Sequence, residues 1–261
     1  MEYTRELQFA LAMADAADAL SMQRYRATDL VVETKPDATP VTEADQAVER
    51  MIRERIGAEM AGDGIVGEEF GDAASANGRQ WIVDPIDGTK NYMRGVPVWS
   101  TLIGFAVNGE LVVGVVSAPA MGRRWWAARG TGAWTRDANG ANRQLRVSNV
   151  GDIADASFSF SDAHDWDRHS QTSGALQRII DRTWRQRAYG DFLSHMLVAE
   201  GAVDVSCEPT LSAWDMAALI PIITEAGGTV SGYSGGDPLT QTSLVATNGR
   251  LHGDVLVLIR G

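Results

Sequence analysis

Leu7, Leu11, Ala14, Ala17 and Leu20 recur at helical spacing and predict an amphipathic helix over residues 4–26. Residues 33–56, "ETKPDATPVTEADQAVERMIRERI", predict a loop and then a second helix. Pro36 and Pro40 keep the loop extended. Thr42 has the chemistry of an N-cap, with Asp45 three residues on, close to a capping box. Val48, Ile52 and Ile56 form the apolar stripe behind it. The pattern then changes to strands. "GIVGEEFG" (64–71) and "QWIVDPIDGT" (80–89) are short apolar runs that each end in two acids. "VWSTLIGFAVNGELVVGVVSAP" (98–119) predicts a β-hairpin, with Asn108-Gly109 between two β-branched runs. "RRWWAARGTGAW" (123–134) extends the sheet through a glycine turn.

Beyond this point the pattern mixes strands and helices. "SFSF" (157–160) alternates like a strand, and the acidic, Ser-rich residues 161–174 read as surface. "YGDFLSHMLVAEGA" (189–202) and "WDMAALIPIITEAGG" (214–228) predict helices closed by glycine. "GTVSG" and "SLVATN" predict short strands. The shift in character suggests two parts, residues 1–150 and 151–261, although 261 residues also suffice for one large domain.

Composition narrows the function classes. The formal net charge of −11 argues against a nucleic-acid partner, which needs basic surface to neutralise phosphates. An acidic protein that handles an anionic ligand needs local positive charge, and metal ions supply it. The single cysteine, Cys207, excludes an intrachain disulfide and reads as a small buried apolar residue. No run is long enough for a membrane span, and the acids in the N-terminal stretch are unlike a signal peptide, so the expectation is a cytoplasmic protein without a membrane partner.

The acids at the strand ends carry the chemistry. Pro85 fixes the direction in which the chain leaves Asp84, and Gly88 admits a backbone conformation that other residues resist, so Asp84 and Asp87 can converge. Two close carboxylates repel, and a divalent cation turns the repulsion into binding. Oxygen ligands suit Mg²⁺ or Mn²⁺ rather than Zn²⁺. A solvated turn is the plainer reading of the same residues. Glu68 and Glu69 end the preceding strand, and Asp215 opens an apolar helix, where complementing the helix dipole is its plainer role. Gly88-Thr89-Lys90-Asn91 is either a plain turn or a helical turn whose N–H groups hold a phosphate oxygen.

Taken together, "GEE" (67–69), "WIVDPIDGTKNY" (81–92) and "WDMAA" (214–218) resemble the inositol monophosphatase-like family of metal-dependent phosphatases. "KPDATPVTEAD" (35–45), "AARGTGAW" (127–134) and "EAGG" (225–228) fit the same family, in order and over nearly the full length. The resemblance implies an α/β (α+β) fold, a layered αβαβα sandwich with the site between an N-terminal and a C-terminal half. It implies hydrolysis of small phosphomonoesters with two or three Mg²⁺, Mn²⁺ being a substitute. Position by position, it implies Glu68, Asp84 and the Ile86 carbonyl for one metal, and Asp84, Asp87 and Asp215 for a second. Glu68 and Thr89 would orient or deprotonate the attacking water, Asp45 would polarise Thr89, and the N–H groups of Gly88 and Thr89 would hold phosphoryl oxygens. The family also implies a homodimer.

Within the family, "ETKPDATPVTEAD", residues 81–134 and residues 187–204 resemble the actinobacterial histidinol-phosphatases. Their substrate carries an ammonium and an imidazole, which want carboxylates beyond the metal site. Glu208, whose counterpart in inositol phosphatases contacts sugar hydroxyls, and Asp191 are the candidates, with Arg187 to organise them or approach the phosphate. Asp191 could instead simply start a helix, and Arg187 could be a structural ion pair. Trp99, Trp125 and Trp126 read as core, and His164, His169, His195 and His252 as surface or structural.

Three alternatives stand beside this reading. Inositol monophosphate, 3′-phosphoadenosine phosphate and fructose bisphosphate are other family substrates, and the metal centre does not choose among them. Aspartyl-nucleophile phosphatases place their acids two apart in DxDGT, whereas here they lie three apart and Glu68 and Asp215 have no role in that scheme. A silent, metal-dependent binding protein would need no such intact set.

Overall fold

The structure, a computed structural model, describes residues 2–36, 38–167 and 173–261. Helix α1 (Thr4–Arg24) is followed by a hairpin of β1 (Val32–Thr34) and β2 (Pro40–Thr42), then helix α2 (Glu43–Glu59). The hairpin stands where the sequence predicts a loop, because three-residue strands leave no period to read. α2 begins with the full capping box: Thr42 accepts from the Ala44 and Asp45 amides, and Asp45 accepts from that of Thr42. Val48, Ile52 and Ile56 are buried on its inner face, each contributing roughly 1.5–3 kcal/mol. In α1 the buried face is Phe9, Ala10, Met13, Ala14 and Ala17, and the predicted Leu7, Leu11 and Leu20 lie half-buried at its edge. The small alanines let α1 lie close against its neighbours, and the leucines seal the margin.

The first sheet has eight strands. These are β3 (Gly64–Gly67), β4 (Gly71–Ala73) and β5 (Arg79–Asp87), then, after helix α3 (Thr89–Arg94), β6 (Ser100–Val107), β7 (Glu110–Ala118), β8 (Arg123–Ala128), β9 (Ala133–Arg136) and β10 (Asn142–Gln144). Their order is β10-β9-β8-β7-β6-β5-β3-β4. The β6–β7 turn has the positive φ at both Asn108 (50°) and Gly109 (84°) that a tight hairpin requires.

Beyond it lie β11 (Ser157–Ser159), α4 (Ala163–Asp167), α5 (Ala175–Arg182), β12 (Arg185–Arg187), α6 (Asp191–Ala199) and β13 (Val205–Glu208). The chain continues through α7 (Ala213–Met216), α8 (Leu219–Glu225), β14 (Thr229–Ser231), α9 (Pro238–Gln241), β15 (Leu244–Thr247) and α10 (His252–Arg260). The second sheet runs β12-β11-β13-β15-β14. Part of the stretch read as surface is core: Trp166 of α4 is buried and packs edge-on against Phe158.

Three apolar clusters define the layers. α1 and α2 cover one face of the large sheet through Phe9, Met13, Ile52, Trp81 and Phe105. α6 and α8 fill the space between the sheets with Phe192, Met196, Ile222 and Ile223 against Leu102, Trp125 and Leu244. α5 and α10 close the far side with Ile179, Val255 and Ile259 against Phe158 and Val205. The result is the layered αβαβα sandwich.

The predicted helix over 214–228 is two, α7 and α8. Ala217 and Ala218 keep helical dihedrals, but Pro221 has no N–H for the Ala217 carbonyl, so the bonding ladder breaks. At this break the chain rests on Gly104 and Gly114, which are register partners across β6 and β7. A Cβ on Gly104 would stand 2.7 Å from that of Ala217, and one on Gly114 2.1 Å from the Ala218 carbonyl oxygen. Two facing residues without side chains thus let this helix pair lie directly on the sheet, and so fix where α7 begins.

Candidate active site

β3 and β5 are parallel neighbours with Gly67 opposite Val83, so both chains leave the sheet at the same end and Glu68 follows level with Asp84. Along β5, Trp81 and Val83 face α1 and α2, while Ile82 packs against Ala217 on the opposite face. Strand alternation then directs Asp84 to the Ile82 side, toward α7. The pairing with β6 is irregular between Asp84 and Asp87, and that irregularity brings Asp87 back beside Asp84. Asp215, at the third position of α7, reaches the same place and accepts the Ser212 N–H at 2.7 Å. It caps its helix and faces the site at once.

Asp84, Asp87 and Asp215 each place one carboxylate oxygen within 4.8 Å of the others. Asp84 Oδ1 accepts from the Ile86 amide and Asp87 Oδ2 from the Phe192 amide, both at 2.9 Å. Burial first, and then mutual repulsion with Glu68 and the neighbouring aspartates, raises Asp84 well above the ordinary range. Burial likewise raises Asp87, with Asp191 and Asp215 adding to it. Burial takes Asp215 to about 7 despite the opposing bond from Ser212. Carboxylates held this close and offering only oxygen fit a hard divalent cation.

Glu68 stands beside the trio, and its charge raises Asp84, Asp215 and Asp45. Its own Oε1 is 2.7 Å from Lys35 Nζ, which holds Glu69 at the same distance. No role for Lys35 follows from the sequence motifs above; its one signal there is that it is the lone cation in the acidic stretch 33–45.

Thr89 opens α3, and its hydroxyl faces Asp45 Oδ1 at 3.2 Å and the Ile86 carbonyl at 3.0 Å. Asp45 Oδ2 is occupied by Thr42, at 2.9 Å from its N and 2.5 Å from its Oγ1. Burial raises Asp45 to about 6. Gly88 has φ of 83°, and a Cβ there would meet the Val98 carbonyl at 3.0 Å and Asp191 Oδ2 at 3.3 Å.

From the trio a cavity of about 560 Å³ extends across to the second sheet. Glu208, buried at the end of β13, accepts from Ser161 Oγ at 2.6 Å, and burial raises it to about 8. Asp191 opens α6 with a left-handed φ of 48°. Its Oδ2 accepts from Asn91 Nδ2 at 2.9 Å, and burial raises it to about 6. Arg187 is not brought to these acids. It lies exposed on the edge strand β12, outside the cavity lining, and its guanidinium bonds the Gln186 carbonyl at 2.7 Å.

Trp99 and Trp125 are buried and Trp126 half-buried, in packing positions. His195 is buried in α6 at the cavity wall, with no hydrogen-bond partner for either ring nitrogen among the described residues. Burial lowers it to about 3, which keeps it neutral. His164 is exposed and His252 half-buried, and His169 lies outside the described residues.

The model of the inositol monophosphatase family matches residues 2–260. The chain belongs to that family. The chain is 52% identical over 254 residues to a protein named histidinol-phosphatase from Mycobacterium tuberculosis, covering 96% of each chain. It is 49% identical over 259 residues to one of the same name from Streptomyces coelicolor, covering 98% of this chain and 97% of that one. The solved IMPase from Thermotoga maritima superposes with a TM-score of 0.85 at 30% identity, covering 98% of this chain and 97% of that one.

Proposed function

We propose that this member of the family is a metal-dependent phosphomonoesterase that hydrolyses L-histidinol phosphate to L-histidinol by direct attack of water. The observation that carries the substrate is the cavity lining. Beyond the trio it holds Asp162, Asp165, Asp191 and Glu208, and among the described residues Lys90 is the only lysine or arginine that lines it, His195 being neutral. A phosphate is repelled by such a wall, whereas the ammonium of this ester, and its imidazole when protonated, are attracted to it. The names of the relatives support the same choice.

Asp84, Asp87 and Asp215 would hold the metal, with Glu68 and the Ile86 carbonyl as further ligands. Two or three Mg²⁺ are proposed, with Mn²⁺ as substitute. Bound there, the cations neutralise the phosphoryl group and make water more acidic. The remaining work falls to the chain. Thr89 has one hydroxyl proton to give to Asp45 Oδ1 or the Ile86 carbonyl. Its lone pairs are then left to accept from the attacking water. Asp45, at about 6, is poised to receive a proton near neutral pH. The backbone N–H groups of Gly88 and Thr89 would hold phosphoryl oxygens, and Asp191 and Glu208 the cationic end.

A small-molecule ester is the proposed partner, without nucleic acid or membrane. A homodimer and a cytoplasmic setting complete the reading. No helix among the described residues is long and apolar enough to cross a membrane. Glu208→Gln tests the substrate claim: KM for histidinol phosphate should rise far more than KM for an ester without a cationic group, such as p-nitrophenyl phosphate. Equal losses on both would remove it.

A further inference from the structure

Four consecutive backbone amides at the start of α6 are each held by a side chain. Tyr189 N donates to Ser159 Oγ (3.4 Å), Gly190 N to Ser194 Oγ (3.0 Å), Asp191 N to Ser161 Oγ (2.7 Å) and Phe192 N to Asp87 Oδ2 (2.9 Å). This accounts for a non-glycine residue in the left-handed region at Asp191, which costs energy unless its surroundings fix it.

Ser161 differs from the other holders. Its oxygen accepts the Asp191 N–H on one side, and its single proton goes to Glu208 Oε1 at 2.6 Å on the other. A hydroxyl has one proton, so these two bonds fix its direction. The chain Asp191 N–H, Ser161 Oγ–H, Glu208 Oε1 therefore ties the Glu208 carboxylate to the backbone from which the Asp191 side chain projects. Asn91 restrains Asp191 from the α3 side through Oδ2, its second amide proton being committed to the Val98 carbonyl at 2.8 Å. Glu208 is buried at the end of its strand, where burial opposes its charge and the Ser161 bond favours the charged form.

We propose that Ser161 is a specificity-positioning residue, whose hydroxyl presets Asp191 and Glu208 as one two-carboxylate cradle for the cationic end of the ester. The proposal rests on the substrate reading above. Ser161 touches no reacting atom. It acts through Glu208 and Asp191, so its loss affects the grip on a cationic ester and leaves the chemistry at phosphorus alone.

The test is steady-state kinetics of Ser161→Ala on two esters, L-histidinol phosphate and p-nitrophenyl phosphate, at saturating Mg²⁺. Losing a hydrogen bond to a charged group predicts a rise of about tenfold in KM for histidinol phosphate. For that ester kcat should change little, KM for p-nitrophenyl phosphate should be unchanged, and Mn²⁺ binding followed by electron paramagnetic resonance should equal wild type. Ser161→Thr, which keeps the hydroxyl, should restore the low KM. Ser161→Cys, a weak donor of similar shape, should be intermediate and serves if the alanine variant fails to fold. Equal effects on both esters, or none, overturn the positioning role while the substrate reading stands. A wild-type protein that turns over p-nitrophenyl phosphate but not histidinol phosphate overturns the substrate reading and this role with it.

Discussion

Gly114 lies backbone to backbone against Ala218, so closely that a Cβ would come within 2.1 Å of the Ala218 carbonyl oxygen. The contact sits three residues past Asp215 and sets how deep α7 lies on the sheet. Gly114→Ala should therefore shift α7 away from β5. Overpacking of this kind costs about 1–3 kcal/mol. The distinctive result is weaker Mg²⁺ activation, with half-saturation moved to higher metal, because Asp215 leaves its partners. Calorimetric unfolding and Mg²⁺ titration of activity measure both. A destabilised variant with wild-type Mg²⁺ dependence would show that the glycine serves packing alone.

Asp84 is the most buried of the trio, and its charge is opposed by Glu68, Asp87 and Asp215. Asp84→Asn should abolish Mg²⁺-dependent turnover. It should also leave the metal-free protein as stable as wild type or more so, since one repelling charge is gone. Activity assays and thermal melts in chelator check the two halves. Near-normal activity at saturating metal would remove the ligand role.

The pH dependence of stability has a definite sign. Asp45 (about 6), Glu69 and Asp215 (about 7) and Glu208 (about 8) are all raised, chiefly by burial. Between their ordinary values and these, the folded chain binds more protons than the unfolded one, so stability falls as pH rises. In chelator the melting temperature should drop from about pH 5 to about pH 8. Added Mg²⁺ should oppose the drop, and more strongly at the upper end, because it displaces protons from the same oxygens. A melting temperature in chelator that is flat or rising across this range contradicts the arrangement.

Thr89 and Asp45 form the proton path of the proposed mechanism. Thr89→Val should lower kcat by about 10²–10⁴ while Mn²⁺ binding persists, and Thr89→Ser should recover most of it. Asp45→Ala carries a second penalty of about 1 kcal/mol from the lost helix cap. Loss of metal binding in Thr89→Val would instead mean that Thr89 supports the ligands.

The strand ends were legible because apolar runs stopping at "GEE" and "DPID" mark both the sheet and its chemistry. The α2 cap at Thr42 and Asp45 was legible for the same local reason, as was the Asn108-Gly109 turn. What stayed hidden depends on long-range register. Nothing local tells that Gly104 and Gly114 face each other, or that α7 rests on them. Ser161 lies in a polar stretch that reads as surface, and only the fold sets it between Asp191 and Glu208. Lys35 reaches Glu68 and Glu69, which follow β3, from the turn of a hairpin too short to show a period. The resemblance over residues 187–204 assigns Arg187 to the cavity acids or the phosphate, but on the edge strand β12 it is exposed and outside the cavity lining.

The most direct test of the central claim is Mg²⁺-dependent phosphate release from a panel of L-histidinol phosphate, myo-inositol 1-phosphate, fructose 1,6-bisphosphate and 3′-phosphoadenosine 5′-phosphate. Strong preference for histidinol phosphate, lost in chelator, is the expected result. Preference for any of the other three would contradict the cationic cradle and leave only the metal centre.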